Sequence, residues 1–203
     1  MRRTALATAL AAALTVLTAC SGAHAPSLDP NKTLNVATPE LAAIKQHSGI
    51  PDCPRSAADP VSDGLPSVTV DCLGGGRSVD LSGLRGPLIV NFWQSTCGPC
   101  RKEMPALAAY ARSQSEVRVL GIDYLDMQPA AALELARDSD VGYPLVADQA
   151  GNLAGKKPLT RIPGLPFTAY VDASGRVVHL EAVPMTSEGD VAAAAQKYLG
   201  TGG

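Results

Sequence analysis

The sequence predicts an α/β sandwich, in which one mixed β-sheet is flanked by helices. Three observations predict it: apolar strands alternate with amphipathic helices, their connections are short, and a hairpin signal lies near the end of the chain. The chain has 203 residues, of which 46% are hydrophobic and 18% are charged. This length predicts one domain, and the composition is that of a globular protein rather than of a disordered or fibrous one.

A short helix and a hairpin are predicted before the main alternation begins. Thr38-Pro39-Glu40 combines an N-cap residue, an early helical proline and an acidic first turn, and the helix is expected to stop near Gly49. Residues 68–72 and 77–81 are predicted as short strands around Gly74-Gly75-Gly76. The three glycines suggest a phosphate loop, but no Gly-Lys-Ser/Thr follows, so a hairpin turn is favoured.

The rest of the chain is predicted to form five strands and three helices. The strands span 88–93, 117–123, 143–147, 167–171 and 177–182, and the helices span 99–113, 129–139 and 188–199. Residues 88–93 form a nearly continuous apolar run, which is typical of a strand buried on both faces. Pro105 is expected to interrupt the first of these helices, because proline lacks the amide proton. Residues 172–175, Asp-Ala-Ser-Gly, indicate the hairpin between the last two strands.

The charge balance argues against a nucleic-acid-binding protein. The formal net charge is -2, with 17 basic and 19 acidic residues. Proteins that bind nucleic acids usually carry clustered positive charge, which is not seen in this sequence. We therefore expect no nucleic-acid partner.

The N-terminus resembles a bacterial lipoprotein signal. Met1-Arg2-Arg3 precedes an uncharged stretch over residues 4–17, which suits the apolar region of a signal peptide. Leu17-Thr18-Ala19-Cys20 resembles a lipobox, so residues 1–19 are predicted to be removed and Cys20 to be lipidated. An ordinary secretory peptide with an incidental cysteine and an uncleaved anchor helix are the alternatives.

This interpretation predicts the organisation and location of the mature protein. Residues 20–50 would form a tether with the short helix, and residues 51–200 the folded domain. Loss of Arg2 and Arg3 would leave 15 basic and 19 acidic residues, a net charge of -4. The domain would stand on the extracytoplasmic face of the bacterial cell membrane, held by its lipid.

The remaining four cysteines form an even set, as expected in an oxidising compartment. Cys97-Gly98-Pro99-Cys100 follows a buried strand and opens a helix. Helix N-terminal amides and the helix dipole stabilise a thiolate, so Cys97 is the predicted nucleophile. Cys100, one turn deeper, is placed to resolve a mixed disulfide. Gly98 and Pro99 suit the tight turn into the helix.

Other interpretations of this cysteine pair are weaker. It could be a static disulfide, half of a zinc site or a Cu(I) site. No second CxxC is present, and His24, His47 and His179 lack the spacing of metal ligands. No metal site is therefore predicted, and thiol exchange is favoured.

Cys53 and Cys72 have a structural and a catalytic interpretation. Eighteen residues lie between them, and a disulfide closing a loop of that size contributes about 3 kcal/mol in the chain-entropy model. Neither cysteine has a helix start beside it, so the sequence gives no reason for thiolate character. A structural disulfide is favoured, and a second exchange pair is the alternative.

The segment from Asn91 to Pro105, NFWQSTCGPCRKEMP, resembles the active site of the TlpA/ResA-like disulfide reductases. The likeness extends from about Leu65 to Leu199. It implies a thioredoxin-like fold with an N-terminal β-hairpin extension, with Trp93 supporting the redox pair. Gly164-Leu165-Pro166-Phe167 resembles the family's cis-proline segment, so Pro166 would face the disulfide and the Leu165 backbone would pair with a substrate peptide.

Two positions depart from related proteins. Thr96 stands before the first cysteine where these families often have tryptophan, which implies a smaller or more polar docking face. Asn91 stands where thioredoxin has a buried aspartate, and an amide cannot relay a proton. The base for Cys100 is therefore not expected at Asn91. Glu103 and Asp126 are conceivable bases, and the sequence assigns neither.

The function predicted from these features is that of a membrane-tethered, extracytoplasmic thiol–disulfide oxidoreductase. The resemblance favours a reductant of protein disulfides, for example one that keeps apocytochrome or metalloprotein cysteines reduced. A membrane electron donor would resupply electrons by thiol exchange, since no flavin or nicotinamide motif is present and no cofactor is predicted. A disulfide-forming oxidant, a Cu(I) chaperone and a peroxidase are the alternatives.

Overall fold

The computed structural model describes residues 34–113 and 116–200. The strands in these ranges are β1 (Thr69–Cys72), β2 (Val79–Asp80), β3 (Leu88–Trp93), β4 (Arg118–Tyr124), β5 (Leu145–Asp148), β6 (Phe167–Val171) and β7 (Val177–Glu181). The helices are α1 (Pro39–His47), α2 (Gly98–Ser113), α3 (Pro129–Asp138) and α4 (Glu188–Leu199), with a 3-10 turn at Leu81–Gly83. The predicted leader and Cys20 lie outside the described residues. Within the described ranges, no helix has the length and apolarity needed to cross a bilayer.

The strands form one mixed sheet in the order β2-β1-β5-β4-β3-β6-β7. β3, β4 and β5 are parallel, and β6 and β7 continue the sheet in antiparallel fashion. The hairpin of β1 and β2 extends the other side through antiparallel pairing of β1 with β5. The predicted mixed sheet and its hairpin extension are confirmed.

β3 lies at the centre of the sheet, and all six of its residues are buried. Because side chains alternate along a strand, Ile89 and Trp93 contact one core cluster, while Val90 and Phe92 contact the other. The buried apolar residues of all four α-helices belong to the first cluster. Among the described residues, the second cluster combines strand residues with residues of loops and of the β1–β2 hairpin and contains no residue of an α-helix, so the four α-helices pack on one face of the sheet.

α2 continues through Pro105, so the predicted interruption is wrong. Pro105 lies on the exposed side of the helix. Its ring leaves the carbonyl of Arg101 without an intrahelical donor, and water can satisfy a carbonyl on that side. Met104 and Leu107 meanwhile remain buried in the core, and their packing favours an unbroken helix.

Candidate active site

The cysteine pair lies where β3 passes into α2. Cys97 directly precedes Gly98, the first residue of α2, and forms a disulfide with Cys100. Cys97 is half-buried, whereas Cys100 is 1% exposed. Gly98 and Pro99 are exposed at the turn between them. One sulfur therefore faces solvent at the edge of the protein, and the other lies beneath it.

Backbone geometry favours a negative charge on the outer sulfur. The amide of Cys100 donates to Cys97 Sγ at 3.2 Å. Cys97 also stands at the N-terminus of a sixteen-residue helix, where free amides and the helix dipole stabilise an anion. This is the environment that gives a cysteine thiolate character.

The loop that carries Cys97 is fixed by contacts with the segment after β4. The amide of Ser95 donates to Asp126 Oδ2 at 2.6 Å, and Gln94 Nε2 donates to the carbonyl of Leu125 at 2.9 Å. Arg101 Nη1 donates to the carbonyl of Ser95 at 3.2 Å. Asp126 is 1% exposed and also accepts from the amide of Gln128 at 2.8 Å. Its buried carboxylate thus holds two backbone segments together.

Asp126→Ala is expected to lower the free energy of unfolding by about 2 kcal/mol or more, because two backbone amides lose their acceptor. Urea denaturation of the oxidised protein measures this change. Asp138→Ala removes an exposed carboxylate from α3 and serves as the control. Equal stability of the two variants would contradict the clamping role of Asp126.

Glu103 is buried one helical turn beyond Cys100, on the same side of α2. Its Oε2 accepts from Asn91 Nδ2 at 2.8 Å, and its Oε1 accepts from the amide of Met185 at 2.9 Å. Burial raises the pKa of Glu103 to about 7, although both hydrogen bonds favour the charged form. The carboxyl can therefore take up or release a proton near neutral pH.

Asn91 has a positioning role that the sequence did not reveal. Its amide donates to Glu103 and, at 3.2 Å, to Thr168 Oγ1 on β6. This side chain cannot relay a proton, but it fixes the carboxylate that can. The i,i+3 spacing of Cys100 and Glu103 was the available signal, although burial of Glu103 could not be deduced from it.

A second buried carboxyl lies on β4, beside Trp93 in the strand register. Asp123 is fully buried, and neither of its oxygens has a hydrogen-bond partner among the described residues. Burial, reinforced by the negative charge of Asp126, raises the pKa of Asp123 well above its usual range. Burial therefore favours the neutral form of this carboxyl.

The other residues predicted to support the site lie around the same junction. Trp93 is fully buried at the end of β3, and like Cys100 it belongs to the first core cluster, which contains the buried apolar residues of the helices. The bond between Leu165 and Pro166 is cis, directly before β6. Leu165 is half-buried and packs against both core clusters. Thr96 is exposed beside Cys97.

The second cysteine pair is separate from this junction. Cys53 and Cys72 form a disulfide that joins the segment after α1 to the end of β1. Both cysteines are buried. Lys45 of α1 places its ammonium 3.2 Å from Cys72 Sγ. The sequence did not predict this contact, because 27 residues separate the two side chains.

Comparison with known proteins shows the family of this chain. Residues 60–198 match the Redoxin family, which is more than half of the chain. The chain belongs to the Redoxin family. A thiol:disulfide interchange protein DsbE homolog of Paracoccus denitrificans is 36% identical over 103 residues, which are 51% of this chain and 54% of that protein. The thiol-disulfide oxidoreductase ResA of Bacillus cereus is 27% identical over 106 residues, 51% of this chain and 59% of that protein.

Solved structures support the fold of this Redoxin family member. A secreted Mycobacterium tuberculosis disulfide oxidoreductase homologous to E. coli DsbE aligns with a TM-score of 0.52 at 22% identity. The alignment covers 63% of this chain and 96% of that chain. The resemblance to TlpA/ResA-like thiol–disulfide oxidoreductases and the thioredoxin-like fold are confirmed. The chain spans between half and two thirds of the length of the two curated relatives named above.

Proposed function

We propose that this protein is an extracytoplasmic thiol–disulfide oxidoreductase that reduces protein disulfides through Cys97 and Cys100. The observation that carries this proposal is the half-buried Cys97 sulfur, which accepts the Cys100 amide at the start of α2. Buried Cys100 lies in reach of the same sulfur, as their disulfide shows. An accessible nucleophile and a buried resolving thiol are the two groups that disulfide exchange needs.

The reaction begins with both cysteines reduced. The Cys97 thiolate attacks one sulfur of the substrate disulfide, a mixed disulfide forms, and the other substrate sulfur leaves as a thiolate. Cys100 then attacks Cys97 Sγ, which releases the second substrate thiol and forms the Cys97–Cys100 disulfide. Two electrons pass to the substrate, and a membrane dithiol donor of the thiol-exchange type restores the reduced pair.

Glu103 is the proposed proton acceptor for Cys100. A thiol must lose its proton before it can attack, and Cys100 is buried where water has little access. Glu103 lies on the same side of α2, and its pKa of about 7 suits proton transfer near neutral pH. Asn91 and the amide of Met185 hold its two oxygens in place.

The substrate peptide is proposed to bind in extended form along the segment before β6. Leu165 would pair through its backbone, with cis-Pro166 beside the cysteine pair. Exposed Thr96 forms the adjoining surface, and Met127, 57% exposed, adds apolar area just beyond Asp126. A polar residue in place of an aromatic one beside Cys97 suits substrates with small residues around their cysteine.

Membrane attachment through Cys20 is part of the proposal, with residues 1–19 as the signal peptide. Residues 20–50 would be the tether and residues 51–200 the domain. The support is the charged start, the apolar stretch and the small residues before Cys20. Mass spectrometry of the N-terminal peptide from membranes should show a diacylglyceryl-modified Cys20. An N-terminus at any other residue would contradict this part of the proposal.

The reduction potential of the Cys97–Cys100 pair tests the direction of the reaction. We expect a value near or below about -270 mV, as for thioredoxin, when the full chain is equilibrated in detergent against dithiothreitol buffers. A value approaching about -120 mV would instead indicate an oxidant that forms disulfides. A pair that cannot be titrated would overturn the oxidoreductase proposal. Cys53 and Cys72 are followed separately by mass spectrometry of alkylated peptides.

A further inference from the structure

The environments of the two sulfurs in the second disulfide differ. Cys72 Sγ lies 3.2 Å from the ammonium of Lys45, and Cys53 Sγ lies 3.2 Å from the carbonyl oxygen of Leu145. A cation stabilises a thiolate, whereas a carbonyl oxygen can only accept a proton from a thiol. We propose that the Cys53–Cys72 disulfide is a second thiol-exchange site, in which Cys72 becomes the thiolate and Cys53 the protonated thiol.

Lys45 is a buried lysine, and hydrogen bonds hold its ammonium beside Cys72. Its side chain is only 7% exposed, although a buried ammonium is costly unless its protons are bound. Nζ donates to the carbonyl of Gly75 at 2.8 Å and to Asp52 Oδ1 at 3.2 Å, and its third contact is Cys72 Sγ. The disulfide sulfur is a weak acceptor, whereas a thiolate in the same place would fully pair the ammonium.

Charged groups around Cys72 act in opposite directions. Asp52, whose side chain is 87% exposed, shares the ammonium and opposes a second negative charge at the sulfur. Asp71 precedes Cys72 on β1, but its carboxylate is exposed and accepts from Ser78. On β5, Cys72 faces Val146, which is uncharged. Lys45 is therefore the cation in contact with this sulfur.

The backbone around Cys53 suits attack at that sulfur. Cys72 is fixed in β1 by pairing with β5, whereas residues 51–60 belong to no helix or strand. Within the described chain, no backbone amide or carbonyl of 51–60 bonds to another backbone group. Segments with so few hydrogen bonds open at low free energy. Pro54, the residue after Cys53, lines a cavity of about 240 Å³ together with Pro144. Cys53 itself is 4% exposed, so local opening of this segment is what would admit a thiol.

The proposed reaction consumes one dithiol. A thiolate of the dithiol attacks Cys53 Sγ, the Cys53–Cys72 bond breaks, and its electron pair goes to Cys72 Sγ beside Lys45. The second thiolate of the dithiol then attacks the dithiol sulfur of the mixed disulfide. The bond to Cys53 Sγ breaks, Cys53 leaves as a thiolate, and the dithiol is oxidised to a cyclic disulfide. The Cys53 thiolate takes a proton from water, and the resulting thiol can donate a hydrogen bond to the carbonyl oxygen of Leu145. Two electrons have passed to the pair, and the covalent link between segment 51–60 and β1 is broken.

The test uses the full chain with Cys97 and Cys100 replaced by serine, so that it does not depend on the proposed active site. The probe is dithiothreitol at neutral pH without denaturant. We expect complete reduction of Cys53–Cys72 with unchanged far-ultraviolet circular dichroism. Rapid quenching with iodoacetamide should place the dithiothreitol adduct on Cys53 and the alkyl group on Cys72. Reduction only after urea unfolding, or an adduct on Cys72, would overturn the proposal.

Alkylation of the reduced protein as a function of pH tests the role of Lys45. The midpoint for Cys72 is expected at least about one pH unit below the ordinary value of about 8.5. Lys45→Met should raise that midpoint by about one unit or more, and Lys45→Arg, which keeps the charge, should leave it low. Asp52→Asn changes only an exposed carboxylate and should lower the midpoint further. A midpoint that neither Lys45→Met nor Asp52→Asn moves would overturn the assignment.

Discussion

Replacement of Cys97 by serine is expected to lower the rate of protein disulfide reduction by about 10³-fold or more, as for loss of a covalent nucleophile. The reason is that a serine hydroxyl stays protonated, whereas the amide of Cys100 and the start of α2 favour a thiolate at reduced Cys97. Reduction of insulin by the variant, with dithiothreitol as electron source, measures the effect. Unaltered activity of the variant would show that Cys97 is not the nucleophile.

Cys100→Ser should behave differently from Cys97→Ser, since it removes resolution without removing attack. This variant is expected to accumulate a mixed disulfide between Cys97 and the substrate, visible as a slow band on non-reducing gels. Glu134→Gln is the control, because Glu134 is exposed on α3 and has no proposed role in substrate binding or in the reaction. Mixed disulfides formed equally by Cys97→Ser would contradict the assigned order of the two sulfurs.

Glu103→Gln is the second substitution with a large expected effect. Above pH 7 it should slow resolution of the mixed disulfide by about 10²-fold, the lower range for loss of a general base. In the native protein this rate should rise with pH through about 7, where Glu103 ionises, and the rise should vanish in the variant. Stopped-flow measurement from pH 5 to 9 gives both profiles. Glu134→Gln changes an exposed glutamate of α3 and should leave the profile unaltered.

The same substitution should change how stability depends on pH. The folded pKa of Glu103, about 7, exceeds its ordinary value of 4.5, so folding favours the protonated carboxyl. Its stabilising contribution is full below pH 4.5 and is lost as the pH rises to about 7, a change of about 3 kcal/mol. Urea denaturation at pH 4.5 and 8 should show this loss in the native protein and a smaller one in Glu103→Gln. Equal losses would show that Glu103 titrates normally.

Local patterns in the sequence determined most of the fold and pointed to Cys97 and Cys100 as the sulfurs proposed to react. The apolar run of β3 and the turn of Cys97-Gly98-Pro99-Cys100 into α2 depend on neighbours within a few residues. Strand alternation, helix capping and the position of a cysteine at a helix start are local properties. The family resemblance, also carried by a contiguous segment, identified the cis-Pro166 region.

Only the tertiary structure decided which charged groups lie near the sulfurs of the two cysteine pairs. Glu103, the proposed proton acceptor, is buried, and its oxygens are bound by Asn91 and Met185, which lie in other segments of the chain. Lys45 reaches Cys72 because α1 folds onto the turn after β1. The pKa of a carboxyl and the difference between the two sulfurs of a disulfide depend on burial and on contacts between distant segments. Side chains distant in sequence meet only in the folded chain, so sequence periodicity could not predict these contacts.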